Sequence, residues 1–152
     1  MSIHWDPVVA ANGAGELLQY NGGLTYNLRV AGSQTNNEFS VVEVTIPPGA
    51  LGAKPHIHRD HSEHFHVISG EITFTVGDKD VVIGDDSWVS VAREFPHGFR
   101  NDSDQPATYR CIFTPAGYEE IFRTVDEIIR TGREPSADEL TELRAKYGTT
   151  PA

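Results

Sequence analysis

An all-β sandwich or barrel followed by two helices is the architecture this sequence predicts, on three observations. Short runs between Leu24 and Thr114 alternate apolar with polar residues. Clusters of Gly, Pro, Asn and Asp punctuate those runs at even spacing. From Pro115 onward the apolar residues move to helical spacing. Alternation of period two marks strands with one buried face, and many short strands of this kind make a sandwich or barrel.

The first dozen residues, up to Asn12-Gly13, read as irregular. Leu24, Tyr26, Leu28 and Val30 alternate with Thr25, Asn27 and Arg29 and predict the first strand. Phe39 to Ile46 predicts another, stopped by Pro47-Pro48-Gly49. Glu63 to Ile68 reads as strand and Ser69-Gly70 as turn; Ile72, Phe74 and Val76 then alternate with Glu71, Thr73 and Thr75. Gly77-Asp78-Lys79-Asp80 predicts a hairpin turn. Strands follow at 81–83, 88–92, 95–100 and 108–114, with turns at 84–86 and 101–104. Tyr118, Ile121, Phe122, Val125, Ile128 and Ile129 share one helical face, and Gly132 stops that helix. Ser136 and Glu139 have capping-box spacing and open a second helix through Leu140, Leu143 and Tyr147. Thr149 to Ala152 reads as a loose tail.

The chain has 152 residues and a formal net charge of −10, so one domain with a real core is expected. The acidic balance argues against nucleic acid and anionic membrane as partners. No apolar run approaches the roughly 20 residues of a membrane span, and Met1 to Ala11 lacks the basic and apolar regions of a signal peptide. A cytoplasmic location is the expectation. The single cysteine, Cys111, lies in an apolar strand-like run and reads as a buried thiol without redox work.

The most chemically specific segment is His56-Ile57-His58-Arg59-Asp60-His61-Ser62-Glu63, closed by Gly70, with His97 downstream. Residues two apart in a strand face the same side, so His56 and His58 can point inward together. Glu63 and Phe65 share one parity; His64 and His66 have the other and should face away. Three imidazoles and a carboxylate form a ligand set for a divalent transition metal. His61, His64 and His66 read as surface or interface histidines.

The segment resembles the first motif of the cupin superfamily, in which a His-x-His pair, a Glu and a Gly recur at the spacing of His56, His58, Glu63 and Gly70. Gly84-Asp85, His97 and Asn101 are similar to the second cupin motif. The leading glycine of the first motif is displaced, Gly49 standing one position early and Gly52 late. In the second, Ala92 and Glu94 stand where Pro and Gly are usual, and the approach from Gly84 is two residues longer. The stretch from Thr114 to Phe122 and the final Lys146-Tyr147-Gly148 are similar to single-domain cupins related to quercetin dioxygenases.

The resemblance implies a double-stranded β-helix (jelly-roll) barrel with two C-terminal helices, often dimeric. The expected organisation is an N-terminal extension over 1–23, the cupin barrel over 24–114 and the packed helices over 115–148. His56, His58, Glu63 and His97 are implied as ligands of one divalent ion (Fe, Mn, Ni, Co, Cu or Zn), with Glu63 also the candidate base. The implied activity is a metal-dependent oxygenase of quercetin-dioxygenase type, with dioxygen as co-substrate. The alternatives are a polyketide cyclase or isomerase using the metal as Lewis acid, or a small-ligand-binding cupin without catalysis. Phe65, Trp88, Phe99 and Phe113 are candidate apolar walls for a flat hydrophobic substrate, and Glu43 is a second acid/base candidate. Asn101 is expected to fix the loop near His97 rather than to touch substrate.

Overall fold

The computed structural model describes residues 4–152; the first three residues of the expected N-terminal extension lie outside the described residues. Eleven strands and two helices are described: β1 Glu16–Tyr20, β2 Leu24–Val30, β3 Ser40–Ile46, β4 Leu51–His58, β5 Ser62–Ser69, β6 Ile72–Val76, β7 Lys79–Ile83, β8 Ser87–Val91, β9 His97–Arg100, β10 Ala107–Thr114, α1 Glu119–Arg130, α2 Ala137–Lys146 and β11 Thr149–Pro151. They make a six-stranded sheet in the order β1-β2-β3-β10-β5-β8 and a five-stranded sheet in the order β11-β4-β9-β6-β7. This is the all-β, two-sheet jelly roll with two helices after it that the alternation and the resemblance predict.

The alternation sets the core directly. Val42, Val44 and Ile46 of β3, Phe65 and Val67 of β5, and Tyr109, Cys111 and Phe113 of β10 are all buried. Phe65, Phe74, Phe99 and Tyr109 form one aromatic cluster, with ring centroids 5.0 to 5.6 Å apart. Fully burying such side chains stabilises by about 1.5–3 kcal/mol each, before conformational entropy is subtracted. Cys111 is buried, as its apolar surroundings predict.

The two motif segments are tied together through their turns. The Gly70 N–H donates to Asp85 Oδ1 at 2.8 Å. Gly70 has φ +80°, and a Cβ there would lie 2.5 Å from the Pro106 carbonyl oxygen, so only glycine fits. Glu94, at a position where the motif has glycine, also takes a left-handed φ of +63°, and its N–H donates to the His58 carbonyl at 2.7 Å. Glu94 therefore holds a left-handed backbone without glycine, at a cost of about 1–2 kcal/mol for a side chain in that region.

Both helices follow their signals. Ser136 caps α2, accepting from the Glu139 N–H while the Glu139 carboxylate accepts from Ser136 N–H. Gly132, φ +93°, follows α1. No helix among the described residues is long and apolar enough to cross a membrane.

Three details differ from the sequence reading. β1 forms a full antiparallel pair with β2, from Glu16↔Leu28 to Tyr20↔Leu24, so part of the presumed extension belongs to the six-stranded sheet. The tail is not loose: Thr149–Pro151 pairs with β4 as β11. The β6–β7 turn is also tighter than expected, since Val76 already pairs with Lys79.

Candidate metal centre

Three strands deliver the four candidate ligands. β4 carries His56 and His58, β5 carries Glu63, and β9 carries His97, which is in register with His56. Their ligand atoms all lie within 4.8 Å of one another. His58, Glu63 and His97 are buried at 2%, 4% and 1% exposure, whereas His56 keeps partial solvent contact. The cluster therefore opens on the His56 side.

The outer nitrogens of the imidazoles decide what the inner ones can do. His56 Nδ1 lies 2.7 Å from the Lys54 carbonyl oxygen, and His97 Nδ1 lies 3.0 Å from that of Phe95. A carbonyl only accepts, so both Nδ1 atoms carry the proton, and in the neutral ring both Nε2 atoms present a lone pair. His58 Nδ1 is likewise engaged, 2.7 Å from Thr149 Oγ1. The three Nε2 atoms converge: His56 Nε2 is 2.9 Å from His58 Nε2, which is 3.0 Å from Glu63 Oε1, and His97 Nε2 is 3.0 Å from Glu63 Oε2. Two Nε2 atoms 2.9 Å apart, and Nε2 atoms 3.0 Å from carboxylate oxygens, need a proton or a cation between them. A divalent ion with nitrogen and carboxylate ligands fits that donor set.

The electrostatics agree with that arrangement. Burial alone would push the Glu63 carboxyl up, but hydrogen bonds from His58, His61 and His97 outweigh it and hold it well below the usual carboxylate range. Burial lowers His56 to about 4 and also lowers His58. For His97 burial opposes the charged form, yet the hydrogen bond and field of Glu63 prevail and raise it. Of the three candidate imidazole ligands, His97 is thus the one whose protonated form the carboxylate favours.

His61, a surface or interface histidine by its sequence, stands at the centre of the cluster. His61 is buried, its Nε2 lies 3.2 Å from Glu63 Oε1, and its ring packs between those of His58 and Tyr118, at 4.1 and 4.6 Å. It sits in the turn between β4 and β5, where strand parity gives no guidance. Tyr118, at the start of α1, was read only as a helix-face residue; its ring also lies 4.8 Å from His58. His64 and His66 do lie on the other face: His64 bonds Ser90 and Thr114, and His66 bonds Asp86.

The other candidates divide. Phe65 lies against His97, ring centroids 6.3 Å apart, and Phe113 against His61 at 5.5 Å. Phe99 packs behind Phe65 in the aromatic core. Trp88 is misplaced as a pocket wall: it is 56% exposed and stacks on His66 outside the barrel, because Val89 and Val91 take the inward parity of β8. Glu43 also faces outward, between buried Val42 and Val44, and pairs with Arg29 and Arg110 at 3.2 and 2.8 Å. It is not an acid/base group of this cluster. Asn101 is fully buried and fixes its loop as expected, donating to the Ile46 and Gln105 carbonyls and accepting from Ser103.

Comparison with known proteins agrees with this fold. Residues 42–113 match the family model described as Cupin domain. The quercetin 2,3-dioxygenase of Bacillus subtilis (strain 168) is 25% identical over 121 residues, covering 80% of this chain and 35% of that protein. The chain thus spans about a third of the length of that curated relative. Among solved structures, KdgF from Halomonas sp. superposes with a TM-score of 0.66 over 76% of this chain and 99% of its own, at 14% identity. An RmlC-like cupin from Shewanella frigidimarina NCIMB 400 superposes at 0.60 over 78% of this chain and 96% of its own, at 23% identity. At these identities the structural likeness speaks for the fold.

Proposed function

Because residues 42–113 match the Cupin domain model, we propose that this chain is a metal-dependent cupin enzyme acting on a hydrophobic, oxygenated aromatic or enolisable small molecule, as an oxygenase of quercetin-dioxygenase type. The observation that carries the metal is the meeting of the Nε2 atoms of His56, His58 and His97 with the Glu63 carboxylate in one cluster, with the Nδ1 side of each ring already bonded. The similarity to the Bacillus subtilis dioxygenase supports the oxygenase class.

His56, His58 and His97 supply neutral nitrogen ligands, and Glu63 supplies the carboxylate. A bound divalent ion would contribute Lewis acidity and open coordination positions for substrate and, with a redox metal, dioxygen. Partly exposed His56 marks the side from which substrate enters. Phe65 and Phe113 form apolar walls around the cluster and exclude water from it. Glu63, with His61 bonded to Oε1, is the group that takes a substrate proton; its other oxygen faces His97. This reading includes a cytoplasmic homodimer and a cupin barrel over 24–114, to which β1 and β11 add as edge strands.

The test is dioxygen uptake on adding quercetin to protein reconstituted separately with iron, manganese, nickel, cobalt, copper or zinc. Uptake that tracks substrate loss supports the oxygenase. Turnover of a substrate at the same rate under strict anoxia would contradict it and favour Lewis-acid cyclisation or isomerisation.

A further inference from the structure

We infer that Thr149, on β11, is a positioning residue for His58, and that binding of a metal ion and docking of β11 on β4 stabilise each other. The inference rests on the metal reading above and concerns a part of the chain that the four-ligand motif does not include.

β11 runs antiparallel to β4 with Thr149 opposite His58, Thr150 opposite Ile57 and Pro151 opposite His56. It thus lies along the segment that carries both ligands. Backbone bonds close the pairing at each end, from Arg59 N–H to the Gly148 carbonyl at 2.9 Å and from Ala152 N–H to the Pro55 carbonyl at 3.2 Å. Thr149 is 3% exposed, with Oγ1 2.7 Å from His58 Nδ1. The Tyr118 ring packs on both His58 and His61.

His58 differs here from the other two imidazoles. His56 and His97 are anchored by carbonyls two residues earlier in the chain, those of Lys54 and Phe95. The His58 anchor comes instead from a hydroxyl 91 positions downstream, beyond both helices. When Nδ1–H donates to Oγ1, Nε2 keeps its lone pair for the ion and the ring cannot rotate away. Without the hydroxyl, the proton can move to Nε2 and block coordination, and a buried Nδ1 loses its partner. By linkage, an ion that prefers the anchored ring also favours the docked strand.

The test is titration of the full chain with Co(II), following affinity by calorimetry and the visible d–d bands of the bound ion, together with hydrogen–deuterium exchange of the Thr149, Thr150 and Ala152 amides. Thr149→Val is expected to weaken Co(II) binding about 10- to 100-fold and to alter the d–d spectrum. Thr149→Ser, which keeps the hydroxyl, is expected to stay near wild type in both. In wild type, Co(II) is expected to slow exchange in β11, and in Thr149→Val much less so. A Thr149→Val protein with wild-type affinity and spectrum would overturn the inference alone, as would equal losses in Thr149→Ser and Thr149→Val, or β11 exchange unchanged by Co(II). Wild-type protein that takes up no Co(II) would overturn the metal reading and this inference with it.

Discussion

His61 Nε2 lies 3.2 Å from Glu63 Oε1, and both side chains are buried. The bond turns a carboxylate facing two converging imidazoles into one that is also held from the side opposite His97. His61→Phe keeps a flat ring against Tyr118 and removes the bond. Metal affinity is expected to fall by about 10-fold, measured by calorimetry with Ni(II) or Zn(II). An unchanged affinity would leave His61 as packing only.

The two faces of β5 and β4 give a sharper contrast. His58→Ala removes a ligand and is expected to abolish tight binding, whereas His64→Ala removes a residue bonded only to Ser90 and Thr114 on the outer face. Parallel titrations of the two variants decide the matter, and equal losses would mean that the side-chain directions are wrong.

Metal uptake should depend on pH in a defined direction. His97 is raised above its ordinary 6.5, so a proton competes with the ion until the pH passes that raised value. Affinity therefore increases as pH rises through the His97 range and falls as pH drops below it. His56, lowered to about 4, adds competition only in acid. Proton release measured in two buffers of different ionisation heat checks the sign; uptake that strengthens on acidification would contradict it.

The outer face of the six-stranded sheet should be silent toward the site. Trp88→Ala and Glu43→Gln are expected to leave metal affinity unchanged. Glu43→Gln breaks the partly exposed pairs with Arg29 and Arg110 and should lower stability by at most about 1 kcal/mol, read as a small shift in a urea melt.

What could be read in advance follows from where one residue type has one meaning. Val42, Val44 and Ile46 alternate because one face of β3 is buried, and the same rule put Glu63 inward and His64 outward. It also held the information that Glu43 and Trp88 face out, since the apolar neighbours of each claim the inner parity. His61 was illegible because it stands in a turn, where period two carries no direction. β1 and β11 were missed for different reasons. Glu16–Tyr20 has only weak alternation, and Thr149–Pro151 is three residues long, so its strand exists only through pairing with β4. The anchor of His58 was hidden with it, because a hydroxyl 91 positions away has no local signature.

The most direct test of the central claim, that His56, His58, Glu63 and His97 hold one ion, is elemental analysis of protein purified without added metal and again after exposure to iron, manganese, nickel or zinc. The account predicts about one ion per chain, lost in His97→Ala. A metal content near zero both before and after exposure would contradict it.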